Sequence, residues 1–262
     1  MRKILASSFV VTIILTIFSC EKDEVLKKCD KCLPIYIVYD NDNNDTISFT
    51  YNDHNQVMEI SYANTYSPWA ETFEYNESNQ IIQYNEFRNG EQESYILYEY
   101  SENNLISSTE YRNTNNYDNL EDYKAYTPIT YECDNEGKIV KLIENNYYIS
   151  YKYDAKGNLS EQQKYSYLEN EYLEYTMKRK FGNSYFYYKD LNLPINHHYR
   201  IYNNLTEQIT EYYDIDGTVY NTNVLYMNYH AYNDYGYPTR VSKSSEDGVW
   251  LKYKEIVYLV IE

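Results

Sequence analysis

Glycine is scarce in this chain of 262 residues, with seven in all, and cysteine and histidine number four each. Cations are outnumbered too: 23 Lys and Arg stand against 40 Asp and Glu, for a formal net charge of −17. After the first nineteen residues no long apolar run occurs, and the mean hydropathy is −0.77. Each shortage excludes something. No glycine-rich phosphate loop and no nucleophile elbow is present. An acidic chain repels phosphate backbones and anionic membrane surfaces, which excludes nucleic acid as a partner. Low hydropathy argues against several buried layers. Of His54, His197, His198 and His230, the adjacent pair points to opposite faces of a strand and cannot hold one metal together. Cys29-Asp-Lys-Cys32 is a lone CxxC, short of the four ligands that zinc wants. The leading reading is a local disulfide between Cys29 and Cys32 in an oxidising compartment, with an intermolecular or unpaired thiol as the other reading. No cofactor is expected.

What the chain has instead is tyrosine, 38 of them. Tyr favours strands because its ring packs on a pleated, half-buried surface while its hydroxyl stays wet. It also has an N-terminus of different material. Arg2 and Lys3 precede an apolar run from Ile4 to Phe18, then Ser19 and Cys20. That is the order of a secretory signal, and the run is short for a membrane-spanning helix. Ile17-Phe18-Ser19-Cys20 resembles the lipobox of bacterial lipoproteins. The resemblance implies cleavage after Ser19, lipid on Cys20 and attachment to a membrane. Several acyl chains give stable anchoring where one is marginal. The following Glu21-Lys-Asp-Glu24 resembles the surface-export signal of Bacteroidetes lipoproteins, which implies the outer membrane with the chain facing outward. The expected division is a signal peptide at 1–19, a lipidated charged tether at 20–34 and one β-domain at 35–262.

The β-domain is read from a repeat. Position zero is Tyr51, Tyr75, Tyr100, Cys133, Tyr153, Tyr188, Tyr213 and Tyr232; Cys133 substitutes as a small buried apolar residue. The next residue is Asn, Ser or Asp in seven of these, with Lys189 the exception. Four places on stand Asn55, Asn79, Asn104, Gly137, Gly157, Asn192, Gly217 and Gly236, the two residue types that best tolerate positive φ. Six places on stand Val57, Ile81, Ile106, Ile139, Leu159, Pro194, Val219 and Pro238, all apolar. Two places before zero are Phe49, Phe73, Tyr98, Tyr131, Tyr151 and Phe186, with Glu211 and His230 as exceptions. Four places before are Ile47, Ile96, Ile129, Ile149 and Ile209. Period two puts these residues on one strand face. Each unit is therefore a strand, a type I turn ended by a left-handed residue, and a return strand. The fold class is all-β: an antiparallel up-and-down meander of roughly sixteen to nineteen short strands. Irregular unit spacing favours a meander over a strict solenoid.

"YDAKGNL" at 153–159 and "YDIDGTV" at 213–219 resemble the YD repeats of RHS-type proteins. "YNDHNQV" and "YNESNQI" resemble copies in Bacteroidetes lipoproteins, some of which form a domain family of unknown function with a porin-like fold. That resemblance implies a sheet rolled or closed into a barrel, with an open or wound RHS-like sheet as the alternative. Closure has its own physical motive, since it removes two edge strands. A membrane barrel is disfavoured, because Ser48, Thr50, Glu99, Lys152 and Glu207 oppose the tyrosine face where lipid would need apolar residues.

Asp40, Asp42 and Asn44 have the alternating oxygen spacing of a calcium loop, but its later glycine and glutamate are replaced by Asp45 and Tyr51, so an acidic turn is the better reading. No pair of carboxylates stands out for acid–base work. The expectation is a protein that is not an enzyme and displays a binding surface for glycan or protein. The alternatives are an envelope-assembly partner of an outer-membrane protein and a glycan-acting enzyme.

Overall fold

The computed structural model describes residues 31–39, 45–63, 67–113, 123–167, 171–185, 203–235, 237–245 and 248–261. These contain seventeen strands: β1 (Lys31–Tyr39), β2 (Thr46–Tyr51), β3 (Val57–Ala63), β4 (Trp69–Tyr75), β5 (Ile81–Arg88), β6 (Glu91–Ser101), β7 (Asn104–Asn113), β8 (Tyr123–Ala125), β9 (Ile129–Cys133), β10 (Ile139–Glu144), β11 (Tyr147–Tyr153), β12 (Leu159–Ser166), β13 (Tyr172–Tyr185), β14 (Asn203–Tyr213), β15 (Val219–Tyr232), β16 (Pro238–Ser245) and β17 (Gly248–Ile261). Pairing is antiparallel and follows chain order. Within the series β8 and β9 depart from this: both run along β7, and β9 passes the ladder on to β10. β1 pairs with β2 on one side and with β17 on the other. The series of pairings thus returns to the strand where it began, which occupies edge groups that a flat meander leaves bare. The expected all-β meander is borne out. The sheet starts at Lys31, so β1 extends into the span 20–34 read as tether.

Alternating residues explain why these segments are strands. In β2, Ile47 and Phe49 are buried while Ser48 and Thr50 are exposed. The described aromatic members of the −2 column, Phe49, Phe73, Tyr98, Tyr131 and Tyr151, are all buried, whereas the exceptions Glu211 and His230 are not. One core collects residues from every strand except β8, β13 contributing Phe181 at its margin.

The strands have two ends. The near end is where β1 begins and β17 finishes; with β8 and β9 counted as one interrupted strand, the far end carries the β1–β2 connection and every alternate one after it. Near-end turns follow the motif. Asn52 Oδ1 accepts the N–H groups of His54 and Gln56 at 3.0 Å each. Asn76 does the same for Ser78 and Gln80, Asp134 for Glu136 and Lys138, Asp154 for Lys156 and Asn158, and Asn233 for Tyr235 and Tyr237. Asn55, Asn79, Gly137 and Gly157 then take positive φ, between 59° and 84°. A one-residue shift of register accompanies the turn, as at Thr50/Tyr51, Glu74/Tyr75 and Lys152/Tyr153. This is the bulge that a left-handed closing residue produces.

Three units depart from the pattern. At 100 the turn contracts to two residues, Glu102 takes the positive φ, and Asn104 pairs with Ser101 as the first residue of β7. Leu105 is consequently the buried residue, and Ile106 faces solvent. At 213 the turn lies at the far end, not with the others. Tyr232, in the 232 unit, is exposed because a shift of register between Tyr229 and Ala231 hands its place to Tyr229. Tyr188, Asn192, Pro194 and Gly236 lie outside the described residues.

Candidate ligand surface

The tyrosines fall into two populations with different tasks. The first builds the near end. Tyr75 donates its hydroxyl to Val57 O at 2.8 Å, Tyr100 to Ile81 O at 2.9 Å and Tyr153 to Ile139 O at 2.8 Å. Tyr229 reaches Leu205 O at 2.9 Å and Tyr258 reaches Pro238 O at 2.7 Å. Tyr51 makes the same bond to Pro34 O at 2.6 Å, joining β2 to β1. Each bond ties the outgoing strand of one hairpin to the return strand of the hairpin before it. Cys133 takes this place in β9, its thiol 3.6 Å from Leu105 O. It is half-buried and acts as a weak donor, which corrects the expectation of a merely apolar substitute. Burial pushes the Tyr51 and Tyr75 hydroxyls well above the usual tyrosine range, aided by the next ring in the series. They stay neutral donors.

The second population lies on the outer face towards the far end. Tyr95 and Tyr111 are direct cross-strand partners, stacked at 4.7 Å with planes 6° apart. Tyr123 leans on Tyr95 at 5.3 Å and donates to Gln92 O. Tyr148 and Tyr165 repeat the arrangement at 4.7 Å and 10°, with Tyr167 at 5.5 Å from Tyr148. Charge surrounds the rings. Lys141 Nζ sits 4.6 Å from the Tyr148 centroid, Arg112 lies over Tyr126 at 4.9 Å, and Tyr148 donates to Glu171 at 2.8 Å. Partial burial and the Glu171 carboxylate raise the Tyr148 hydroxyl; partial burial and Tyr111 raise Tyr95. Half-exposed ring faces with polar side chains at their edges suit stacking and hydrogen bonding to a polyhydroxylated ligand. Elsewhere this face carries ion pairs across neighbouring strands, Lys152–Glu161, Lys178–Glu211 and Lys180–Glu207, and the exposed Leu97 beside Tyr95.

The inner face changes character along the strands. Its near-end half is apolar, and towards the far end it carries Glu71, Ser94, Gln162, Ser166, Arg179 and Thr210, all buried. Arg179 Nε donates to Gln208 Oε1 at 3.1 Å, and Ser94 donates to Glu86 Oε2 at 3.0 Å. Glu71 stands directly opposite Glu86 on β5. Burial, then the Glu86 charge, raises its carboxyl to about 7, against the opposing bond from Tyr84. Sequence reasoning passed over Glu71, although a signal was there. It occupies the −4 position of the Tyr75 unit, where five other units have isoleucine.

Cys20 and Cys29 lie outside the described residues, as do His197, His198 and residues 40–44 of the acidic turn. Cys32 is in β1, its Cα opposite Val260. His54 is exposed in its turn, and His230 Nε2 lies 2.8 Å from Ser242 Oγ. Among the described residues no three His, Cys, Asp or Glu side chains cluster as metal ligands.

No protein-family model matches this chain, and no curated protein does. Solved structures do. A porin-like protein from Bacteroides vulgatus is similar over 87% of this chain and 99% of its own, at 10% identity and a TM-score of 0.45. A porin-like protein from Bacteroides uniformis is similar over 89% and 99%, at 13% identity and a TM-score of 0.45.

Proposed function

We propose that this chain is an outer-membrane lipoprotein that presents a non-catalytic, glycan-binding surface to the exterior. The observation that carries the reading is the pair of stacked tyrosine groups, Tyr95–Tyr111–Tyr123 and Tyr148–Tyr165–Tyr167, on a face that also bears cross-strand ion pairs. Topology supports the direction. Lys31 starts β1 at the near end, and only a short tether separates it from Cys20. A lipid on Cys20 therefore keeps the near end towards the membrane and turns the far end, with its tyrosines, away from it. A glycan array probed with the chain from residue 21 onward tests the binding. Selective binding that falls at least about tenfold in a Tyr111→Ala, Tyr165→Ala double variant supports the reading, since stacking on an aromatic ring and its hydrogen bonds contribute on the order of 1–2 kcal/mol each. A response that is flat across all sugars removes it. Cys20→Ser tests the anchor: the protein is expected to leave the membrane fraction.

A second reading, an envelope-assembly partner, draws on the β14–β15 hairpin. Ile215, Val219 and Tyr220 are exposed at its tip. Cross-linking from residue 220 in intact cells, followed by mass spectrometry, separates the two readings: one recurrent outer-membrane protein favours assembly.

A further inference from the structure

Trp69 and Glu71 lie two residues apart on β4, so their side chains share the inner face. Glu71 is 3% exposed, yet its Oε2 has no hydrogen-bond partner, and the buried indole Nε1 of Trp69 has none either. Buried polar atoms in native proteins are nearly always satisfied, so two orphans on one strand face call for a bound group. They are opposite in sense. One is an N–H donor and the other a carboxyl oxygen. A metal cation would meet the indole hydrogen, and an anion would meet Glu71 and Glu86. A hydroxyl suits both, accepting from the indole and donating to the carboxylate.

The surroundings fit such a group. The Tyr62 ring stacks on Trp69 at 4.5 Å with planes 21° apart. The Tyr84 hydroxyl bonds the Glu71 carboxyl, and Glu86, its cross-strand partner, is held by Ser94. Trp69 is the first residue of β4, at the far rim, and only half-buried; Glu71 lies one inner-face step deeper. We propose that Trp69 and Glu71 form the wall and floor of a small rim site that receives one hydroxyl of an uncharged sugar or polyol, with Tyr62 and Trp69 against the ligand's carbon skeleton. This site is separate from the outer tyrosine groups and shares no residue with them.

The chain has two tryptophans, Trp69 and Trp250. Trp250→Phe leaves Trp69 as the only tryptophan, and excitation at the red edge of its absorption, beyond the tyrosine band, isolates its emission. D-glucose, D-galactose, N-acetyl-D-glucosamine and glycerol are titrated against that protein while its emission is followed. A saturable shift with at least one of the four is expected, weakened at least about tenfold by Glu71→Leu and, by calorimetry, about fivefold by Trp69→Phe. Flat emission with all four, or a response that Glu71→Leu leaves intact, overturns the proposal. A crystal structure of the unmutated chain with the responding compound gives a readout that needs no variant. Its hydroxyl between Nε1 and Oε2 supports the site, whereas a lone water bridging the two atoms overturns it. The Tyr111→Ala, Tyr165→Ala protein keeps the Trp69 response whether or not the outer groups bind glycan.

Discussion

The turns at 153–159 and 213–219 are written in nearly the same letters, and their backbones agree. Gly157 and Gly217 take φ of 84° and 82°, and each donates its N–H to the carbonyl of the aspartate three residues earlier. Their surroundings do not agree. The first turn closes the near end, where Leu159 is fully buried; the second stands at the far end, where Ile215 is 63% exposed and Tyr220 64%. Asp154 accepts the Asn158 and Lys156 N–H groups and the Asn158 side chain, which, against the effect of burial, hold its carboxyl below the usual range. In the second turn the Thr218 N–H goes to Asp216 instead, and that bond lowers the Asp216 carboxyl. The motif thus specifies how the chain reverses. It does not specify what the reversal is for, which depends on the strand face that the tyrosine enters.

The sharpest way to break this comparison is at the apolar residue that follows each turn. Leu159→Ala empties a fully buried site and is expected to cost about 2–5 kcal/mol in denaturant unfolding. Val219→Ala, on an exposed stretch of β15, is expected to stay within about 0.5 kcal/mol. Equal effects would mean that the two turns are equivalent after all.

The next effect belongs to the far half of the inner face. Glu71 has its carboxyl raised to about 7 from 4.5, so the folded state holds this proton more tightly than the unfolded chain does. Its contribution is fully present below pH 4.5 and is lost as pH rises through about 7. Glu71→Gln removes that dependence. The variant is therefore expected to gain on the parent protein as pH increases across this window, by on the order of 3 kcal/mol. Thermal melts of both proteins at pH 5 and at pH 8 check the sign. A gap that does not widen with pH would mean that Glu71 is solvated, and the near and far halves of the inner face would then differ less than their burial implies.

Much of this architecture was legible because period-two columns and turn chemistry are local. Phe49, Phe73, Tyr98, Tyr131 and Tyr151 occupy the buried face that their spacing assigns. The failures were of phase. A two-residue turn at Glu102 moved burial from Ile106 to Leu105, and a shift of register beside Tyr229 displaced Tyr232. Both depend on one residue more or less, which a sequence column cannot weigh. The exceptions held information nonetheless. Glu211 and His230 interrupt the aromatic column in the two units whose tyrosine leaves the near-end ladder. The outer tyrosine groups were invisible for another reason: Tyr95 with Tyr111, and Tyr148 with Tyr165, meet only once the register is set.

The smallest expected effect tests the ladder itself. Tyr153 donates to Ile139 O at 2.8 Å from a half-buried position, whereas Tyr213 donates to the Glu211 side chain on its own strand at 3.2 Å. Tyr153→Phe keeps the ring and removes the hydroxyl, leaving a main-chain carbonyl without this donor, and is expected to cost about 1 kcal/mol. Tyr213→Phe gives up a bond to a carboxylate that the Lys178 ammonium also approaches, at 3.5 Å, and is expected to cost a few tenths of that. Hydrogen exchange separates the two more finely than a melt does. Loss of the Tyr153 hydroxyl should speed exchange at the near ends of β10 and β11, because the bond clamps neighbouring hairpins there. If Tyr213→Phe loosened β14 and β15 as much, the hydroxyl would matter through local solvation at any turn, and the near-end ladder would have no special part in joining one hairpin to the next.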